Sequence, residues 1–452
     1  MTKQLTVRTV SFFIVFFVLI GLFSVTLSAQ KAPPPSAEHV DAFCVISADY
    51  NEVIIEKNMK KVIYPASTAK LMTALIAEEH FSGNLETPIT VTAEMIKAVT
   101  GRNMGLAVGE RIRVIDLLHA LLVSGYNDAA IVLALATSDS IDSFATKMNE
   151  KAKSLGANET VYTNPTGLHD SAMITTAYDT ALIGLAVMKN ETLFAISKTL
   201  TYKIPATNKS EYRTIHNRNP LLNSGMTKEY YSNARGMSAG ATDEGGDCVV
   251  TSGSIKSSLG SKIDALPNEL SFVCVAMGGR APSAGDETNY ACVTAKEALY
   301  HTLYHYDLMQ LLSEKQDMGS LPIRFSPTEE SVNLKPREDL YAVLHSEIQK
   351  EDLEIQVNVE SEQLDAPIHK DTSVGTIRVL YNGKVLAQTE LVTTKDIDSH
   401  GFLIFMYRLK QITQHPVFII LLILAVGGIV YLLLKRFPLN KNKDRHKRNR
   451  YF

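Results

Sequence analysis

Ala42–Ile46 and Val53–Glu56 are short runs of apolar, strand-prone residues across a polar turn at Asp49-Tyr50-Asn51, and this predicts a β-hairpin. After Pro65 a run of helix formers with no breaker predicts a helix from Ser67 to His80. Residues Thr90 to Arg113 are mixed and carry a turn at Ala107-Val108-Gly109-Glu110. Val114 to Thr137 reads as a strongly apolar helical region with one polar interruption, Ser124-Gly125-Tyr126-Asn127. Ser140–Leu155 and Thr175–Lys189 read as two more helices, Cys248–Ser252 and Leu270–Met277 as strands, and Tyr290–Leu312 as a closing helix. Strands at both ends of a helical middle predict an α+β domain over 36–312: one sheet built from distant segments, with a helical lobe inserted.

The pattern changes over 320–394. Runs such as Leu353-Glu354-Ile355-Gln356-Val357-Asn358-Val359 and Ile377-Arg378-Val379-Leu380-Tyr381, with a hairpin turn at Asn382-Gly383, predict a small all-β domain. Residues 395–415 are expected to link it to a transmembrane helix at 416–434. The stretch Val417–Leu434 carries no charge, and its 18 residues reach about 27 Å as a helix. At the other end, Lys3 and Arg8, an apolar run from Val10 to Leu27 and small residues at Ser28 and Ala29 predict a signal peptide over 1–29. An uncleaved N-terminal anchor is the alternative, because the apolar run is long.

Charge adds an orientation. The tail 435–452 holds eight cations against Asp444, which places it in the cytoplasm and everything before the helix outside. Setting this tail and the two N-terminal cations apart from the net charge of −3 leaves the expected exported part near −12. An acidic ectodomain excludes nucleic acid as the expected partner. Cys44, Cys248, Cys274 and Cys292 form no C-x-x-C pattern, so buried thiols are the default, with a disulfide open in an exported chain.

The candidate chemistry centres on Ser67 and Lys70. A spacing of three puts both side chains on one helix face. A lysine held in a dry cleft loses its preference for charge and becomes a base able to take the serine proton. This is the logic of S-x-x-K catalysis, although the spacing alone also occurs in chains without such chemistry. His301 and His305 stand four apart on one expected helix but lack the glutamate of H-E-x-x-H, so a packed helix is the better reading and no metal is expected. The acidic pairs Glu329-Glu330 and Glu351-Asp352 read as solvated surface.

Several separated stretches resemble the serine D-alanyl-D-alanine carboxypeptidases, the low-molecular-weight penicillin-binding proteins of the β-lactamase-like superfamily. Pro65-Ala66-Ser67-Thr68-Ala69-Lys70-Leu71-Met72-Thr73 is close to the family's P-A-S-x-x-K-L-M-T. Asn127-Asp128-Ala129-Ala130 resembles its second motif, and Asn164-Pro165-Thr166-Gly167-Leu168 its N-P-x-G-L loop. Thr175-Thr176-Ala177-Tyr178-Asp179 is similar to its following helix start. Leu364-Asp365-Ala366-Pro367-Ile368 and Val374-Gly375-Thr376-Ile377 are similar to strands of its C-terminal sandwich.

The resemblance implies a membrane-anchored hydrolase without cofactor. It would trim the terminal D-Ala from peptidoglycan stem peptides through an acyl-enzyme on Ser67, with β-lactams as covalent inhibitors. It assigns Lys70 as base, Asn127 as a substrate-amide contact, and the backbone amides of Ser67 and Ala241 as the oxyanion hole.

Two positions depart from the family. Its second motif, S-x-N, reads Gly125 in the serine slot, with Ser124 one residue further back as the candidate hydroxyl. Its third motif, K-T-G, reads Ser238-Ala239-Gly240, which keeps the glycine and loses the cation and hydroxyl that grip the substrate. Arg235, at odd spacing on the strand, is expected on the opposite face, and His216 and Lys228 are the other basic groups nearby in sequence. The alternative is therefore a catalytically weak, wall-binding protein that keeps the fold. A β-lactamase has no need of the β domain and the anchor.

Overall fold

The structure is a computed structural model that describes residues 34–436 apart from 98 and 226. The expected signal peptide and all of the tail beyond Arg436 lie outside the described residues. Two compact units make up the chain, one running up to Met309 with Val343–Ile348 added, the other Gln310–Ala342 with the residues from Gln349 on.

In the first unit the predicted hairpin forms as β1 (Ala42–Ser47) and β2 (Val53–Lys57), with Asn51 at φ +54° in the turn. Asparagine tolerates that left-handed conformation better than most residues. The sheet is completed by β5 (Arg235–Thr242), β6 (Gly246–Lys256) and β7 (Glu269–Gly279), in the order β2-β1-β7-β6-β5, all antiparallel. Strand β5 is therefore an edge. A second small pair, β3 (Thr201–Ile204) and β4 (Arg213–His216), lies apart from this sheet.

Successive residues on β7 point to opposite faces. Val273 faces Gly184 of α5 (Ala177–Lys189), whereas the Cys274 thiol reaches the Ala295 carbonyl of α7 (Tyr290–His305). A helix thus covers each face of the sheet. The architecture is α+β.

Helix α1 (Ala69–His80) is buried at every position from Ala69 to Ala77, so it is a core helix with no solvent face over that length. It packs against α2 (Val114–Ser124), α3 (Asn127–Thr137) and α4 (Ile141–Ser154), and the short helix α6 (Glu191–Ser197) packs against α2. The predicted polar interruption is the corner between α2 and α3, where Gly125 takes φ +68° as the left-handed cap of α2. All four cysteines are buried and free.

Two expectations change. The helix predicted over Tyr290–Leu312 ends at His305, and Tyr306–Leu312 is a strand that begins with Tyr306 at φ −116°, ψ 139°. Leu308, Leu311 and Leu312 suit either period, so pattern alone did not separate the two. The expected linker 395–415 contains an ordered helix, α8 (Gly401–Gln414), followed by α9 (Pro416–Arg436).

The second unit is built on a six-stranded sheet of β8 (Ser320–Arg324), β9 (Ser331–Pro336), β10 (Glu354–Val359), β11 (Leu364–Asp365), β12 (Ser373–Tyr381) and β13 (Lys384–Thr393). Its order is β10-β12-β13-β9-β8-β11, antiparallel except for β8 with β11. The β12–β13 turn has Asn382 at φ +50° and Gly383 at φ +78°, the paired left-handed residues that a two-residue hairpin needs.

One buried ion pair ties the mixed segment to β4. Glu110 is fully buried, and its carboxylate accepts from Arg213 at 2.7 and 3.1 Å, from Thr207 Oγ1 at 2.9 Å and from the Ala107 amide at 3.0 Å. Burial pushes the Glu110 carboxyl up; Arg213 and the other donors outweigh it and hold the group below its usual range. Its contribution is present above the unfolded carboxylate pKa and is lost as pH falls through the folded one. Arg213→Met should cost about 3 to 5 kcal/mol of stability at neutral pH by leaving a buried charge unpaired. The gap to the parent protein should narrow below about pH 4, where the carboxylate protonates, as read by urea unfolding at two pH values.

Candidate active site

A short 3₁₀ turn, Ala66–Thr68, delivers the chain into α1, so Ser67 stands just before the helix and Lys70 one turn later. Ala66 sits at φ +47°, a left-handed conformation unusual for a residue with a Cβ. Strain of this kind immediately before a half-buried serine is a feature of functional sites. Lys70 is 3% exposed, and its Nζ donates to Ser67 Oγ at 3.2 Å and to the Thr166 carbonyl at 2.5 Å. Burial lowers its pKa to about 7, which makes an appreciable fraction of the amine neutral near physiological pH.

The Thr166 carbonyl is aimed by its own loop. Asn164 Oδ1 accepts from the Thr166 and Gly167 amides at 3.1 and 2.9 Å, closing an Asx turn. That turn presents two successive carbonyls to α1: Thr166 to Lys70, and Pro165 to Thr73 Oγ1 at 2.7 Å. Lys70 and Thr73, three apart on one face, meet them in register. Gly167 has φ +76°, and a Cβ there would lie 1.8 Å from the Ala66 carbonyl oxygen, so only glycine fits beneath the serine turn. The sequence shows the loop, but its task of fixing Lys70, and the part of Thr73, were missed; the available signal was Thr73 at the same helical phase as Lys70.

The edge strand β5 forms the opposite wall. A Cβ on Gly240 would fall 2.5 Å from Ser67 Cβ, which shows how closely the strand approaches the serine. Ser238, in the third-motif cation slot, is 9% exposed and its hydroxyl donates to the Ser67 carbonyl at 3.3 Å. Ala241 follows on the same strand, exposed and paired with Asp247 of β6. Ser67, Lys70, Ser238 and Gly240 are thus brought together.

The second motif is arranged differently. Ser124 is buried and its hydroxyl donates to the His216 carbonyl at 2.9 Å, while a Cβ on Gly125 would meet nothing within 4 Å. The serine slot is open space. Asn127 opens α3 with its side-chain amide on the Thr100 carbonyl at 2.9 Å and its backbone amide on the Arg102 carbonyl at 2.7 Å. Asp128 beside it accepts the Met104 and Leu106 amides at 2.9 and 3.3 Å, which pins the same loop.

The other basic groups are held elsewhere. Arg235 Nη1 donates to the Ser232 and Ala234 carbonyls, Lys228 Nζ to Thr288, and His216 Nδ1 pairs with Thr201. Among the described residues no group of His, Cys, Asp or Glu is arranged to hold a metal ion.

Residues 28–259, just over half of the chain, match the family model described as D-alanyl-D-alanine carboxypeptidase. The chain belongs to that family. Residues 306–399 match the penicillin-binding protein 5 C-terminal domain. Among curated relatives, the D-alanyl-D-alanine carboxypeptidase DacF of Bacillus subtilis is 25% identical over 400 residues, covering 86% of this chain and 96% of that one. DacA of Escherichia coli K12 is 26% identical over 382 residues, covering 82% and 87%. Solved structures share the fold: penicillin-binding protein 5 of Haemophilus influenzae with a TM-score of 0.61 at 21% identity, over 81% of this chain and 99% of that one. DacD of Francisella tularensis gives 0.62 at 22% identity, over 84% and 99%. The chain is a serine-type carboxypeptidase of the low-molecular-weight penicillin-binding class, with an α+β fold.

The Gly240 contact yields a test of the cleft's width. Gly240→Ala should displace the Ser67 side chain and slow its labelling by fluorescent penicillin about 100-fold, the cost expected of a 1 Å misplacement. The melting temperature should stay within a few degrees, because the strand lies at the sheet edge; an unchanged labelling rate would show that Gly240 does not limit the approach to Ser67.

Proposed function

We propose that the protein removes the terminal D-Ala from peptidoglycan stem peptides through an acyl-enzyme on Ser67, with Lys70 as the base. The observation that carries this reading is the buried Lys70 amine 3.2 Å from Ser67 Oγ, with its pKa lowered to about 7. In this scheme Ser67 Oγ passes its proton to Lys70 and bonds to the carbonyl carbon of the D-Ala-D-Ala peptide. The oxyanion is taken by the amides of Ser67 and Ala241. Collapse of the tetrahedral intermediate breaks the C–N bond; the departing amine takes the proton from Lys70, and water then hydrolyses the ester. Asn127 orients the substrate amide once it exchanges its Thr100 partner for the peptide.

The second and third motifs define the subsite. Ser238 stands where the family pattern has a lysine, and Gly125 where it has a serine, so the terminal carboxylate meets hydroxyl and space instead of a cation. A β-lactam, which places its reactive carbonyl on the same serine, acylates Ser67. We assign the unit that bears Ser67 to the extracytoplasmic side, on the basis of the basic residues after α9 and the N-terminal leader pattern. Helix α9 is long and apolar enough to span a membrane.

Ser67→Ala should abolish fluorescent-penicillin labelling and D-Ala release together. Labelling of the parent without D-Ala release from a stem pentapeptide would favour the catalytically weak, wall-binding alternative. The acylation rate should rise with pH through about 7 and level off above it, because Lys70 must be neutral to accept the proton. Lys70→Arg, which stays protonated, should lose about 100-fold or more in acylation at every pH up to 9. A rate that falls as pH rises from 6 to 8 would remove Lys70 from the role of base.

A further inference from the structure

We propose that Arg102, which belongs to none of the three motifs, supplies the cation that grips the substrate's terminal carboxylate. The proposal rests on the reading of Ser67 as nucleophile. Arg102 lies on a loop stapled to the start of α3. The Asn127 backbone amide bonds the Arg102 carbonyl at 2.7 Å, the Asn127 side chain bonds the Thr100 carbonyl at 2.9 Å, and Asp128 accepts the Met104 and Leu106 amides at 2.9 and 3.3 Å. Gly101 has φ +69°, and a Cβ there would fall 2.9 Å from Asn127 Nδ2 and 3.6 Å from Leu168 Cδ2. The loop is thus packed directly on the residue that orients the substrate amide in the proposed scheme.

An exposed arginine ordinarily samples many rotamers, and ordering it on a ligand is costly. Arg102 is exposed, yet its guanidinium is held at two points. Nε donates to the Ser124 carbonyl at 3.0 Å, and Cζ stands 5.0 Å from the centre of the Tyr126 ring. Ser124 and Tyr126 flank Gly125, so the fork is anchored on either side of the residue that lacks a side chain. A Cβ on Gly125 would meet nothing within 4 Å, which leaves room for a carboxylate beside the guanidinium. Both Nη nitrogens bond to no described residue. The fork is therefore positioned, charged and unspent, and a carboxylate taken by two parallel bonds is the ligand that matches it.

Positions 238 and 125 offer the carboxylate a hydroxyl and a space, and Arg102 borders that space. The other basic groups compete poorly. Arg235, Lys228 and His216 spend their donors or acceptors on Ser232, Ala234, Thr288 and Thr201. Arg218 is the remaining rival, since its backbone amide bonds the Val123 carbonyl at 2.9 Å, one residue before Ser124. No hydrogen bond to a described residue holds its guanidinium, so it lacks the fixed aim of Arg102.

The full-length protein and its Arg102→Gln, Arg102→Lys and Arg218→Gln variants would be given a stem pentapeptide and the same peptide ending in a carboxamide. Arg102→Gln should lower kcat/KM for the carboxylate peptide about 10- to 100-fold and leave the carboxamide peptide within about twofold, as expected for one lost charge-assisted pair. Arg102→Lys, which keeps the charge without the fork, should recover part of that loss. Acylation of Ser67 by benzylpenicillin and by its methyl ester reads the same difference without requiring turnover. Equal losses with the acid and the neutral ligands would make Arg102 a prop for the Ser124 corner and overturn the proposal. A selective loss in Arg218→Gln with none in Arg102→Gln would overturn it too. A parent protein that benzylpenicillin does not acylate at Ser67 would overturn the nucleophile reading, and this proposal with it.

Discussion

The amine of Lys70 has been taken out of water and given two oxygen partners, the Ser67 hydroxyl and the Thr166 carbonyl. Much of the first unit serves to hold that arrangement. A buried ammonium is expensive, and with no carboxylate bonded to it the cost is met by partial loss of the proton, which is the property a base needs. The core helix α1 supplies the rigidity, the Asx turn at Asn164 aims the carbonyl, and Gly167 lets that turn close beneath the serine. Each part is ordinary packing or turn chemistry. Together they fix the Ser67 hydroxyl and the Lys70 amine within hydrogen-bond reach.

The far wall of the cleft follows a different logic. Strand β5 approaches Ser67 so closely that only glycine is admitted at 240, which suits a backbone-lined surface whose donors do not depend on side-chain identity. The side chains around it are small. Ser238 turns to the Ser67 carbonyl, Ser124 to the His216 carbonyl, and no atom occupies the place of a Cβ at Gly125. The Ser67 hydroxyl and the Lys70 amine are held by a buried hydrogen-bond pattern, whereas small uncharged residues stand at 125 and 238–240. The second- and third-motif positions are where this chain departs from its family's pattern, and the Ser67–Lys70 pair is where it keeps it.

The second unit is organised around its sheet. Its sheet is pinned by the Asn382-Gly383 hairpin and bound through Arg324 and Phe325 to α8, and the chain then passes into α9. A stretch that reads as linker by composition is thereby an ordered element, because Tyr407 finds a partner on the sheet that no local pattern announces.

The sequence by itself determined the fold class, the hairpin, the core helix after Pro65, the break at Ser124–Asn127 and the pairing of Ser67 with Lys70. Those depend on period, turn residues and spacing within a few positions, which the chain writes locally. The resemblance of its motifs supplied the family. Only tertiary structure decided that Tyr306–Leu312 leaves the helix for a strand, since its leucines serve either period. It also decided that Thr166, 96 residues from Lys70, is that amine's partner, and that Ser124 donates its hydroxyl to the His216 carbonyl. Such contacts join residues far apart in the chain, and the direction of a hydroxyl at a helix end is set by which carbonyl lies nearest in space, a quantity no sequence interval contains.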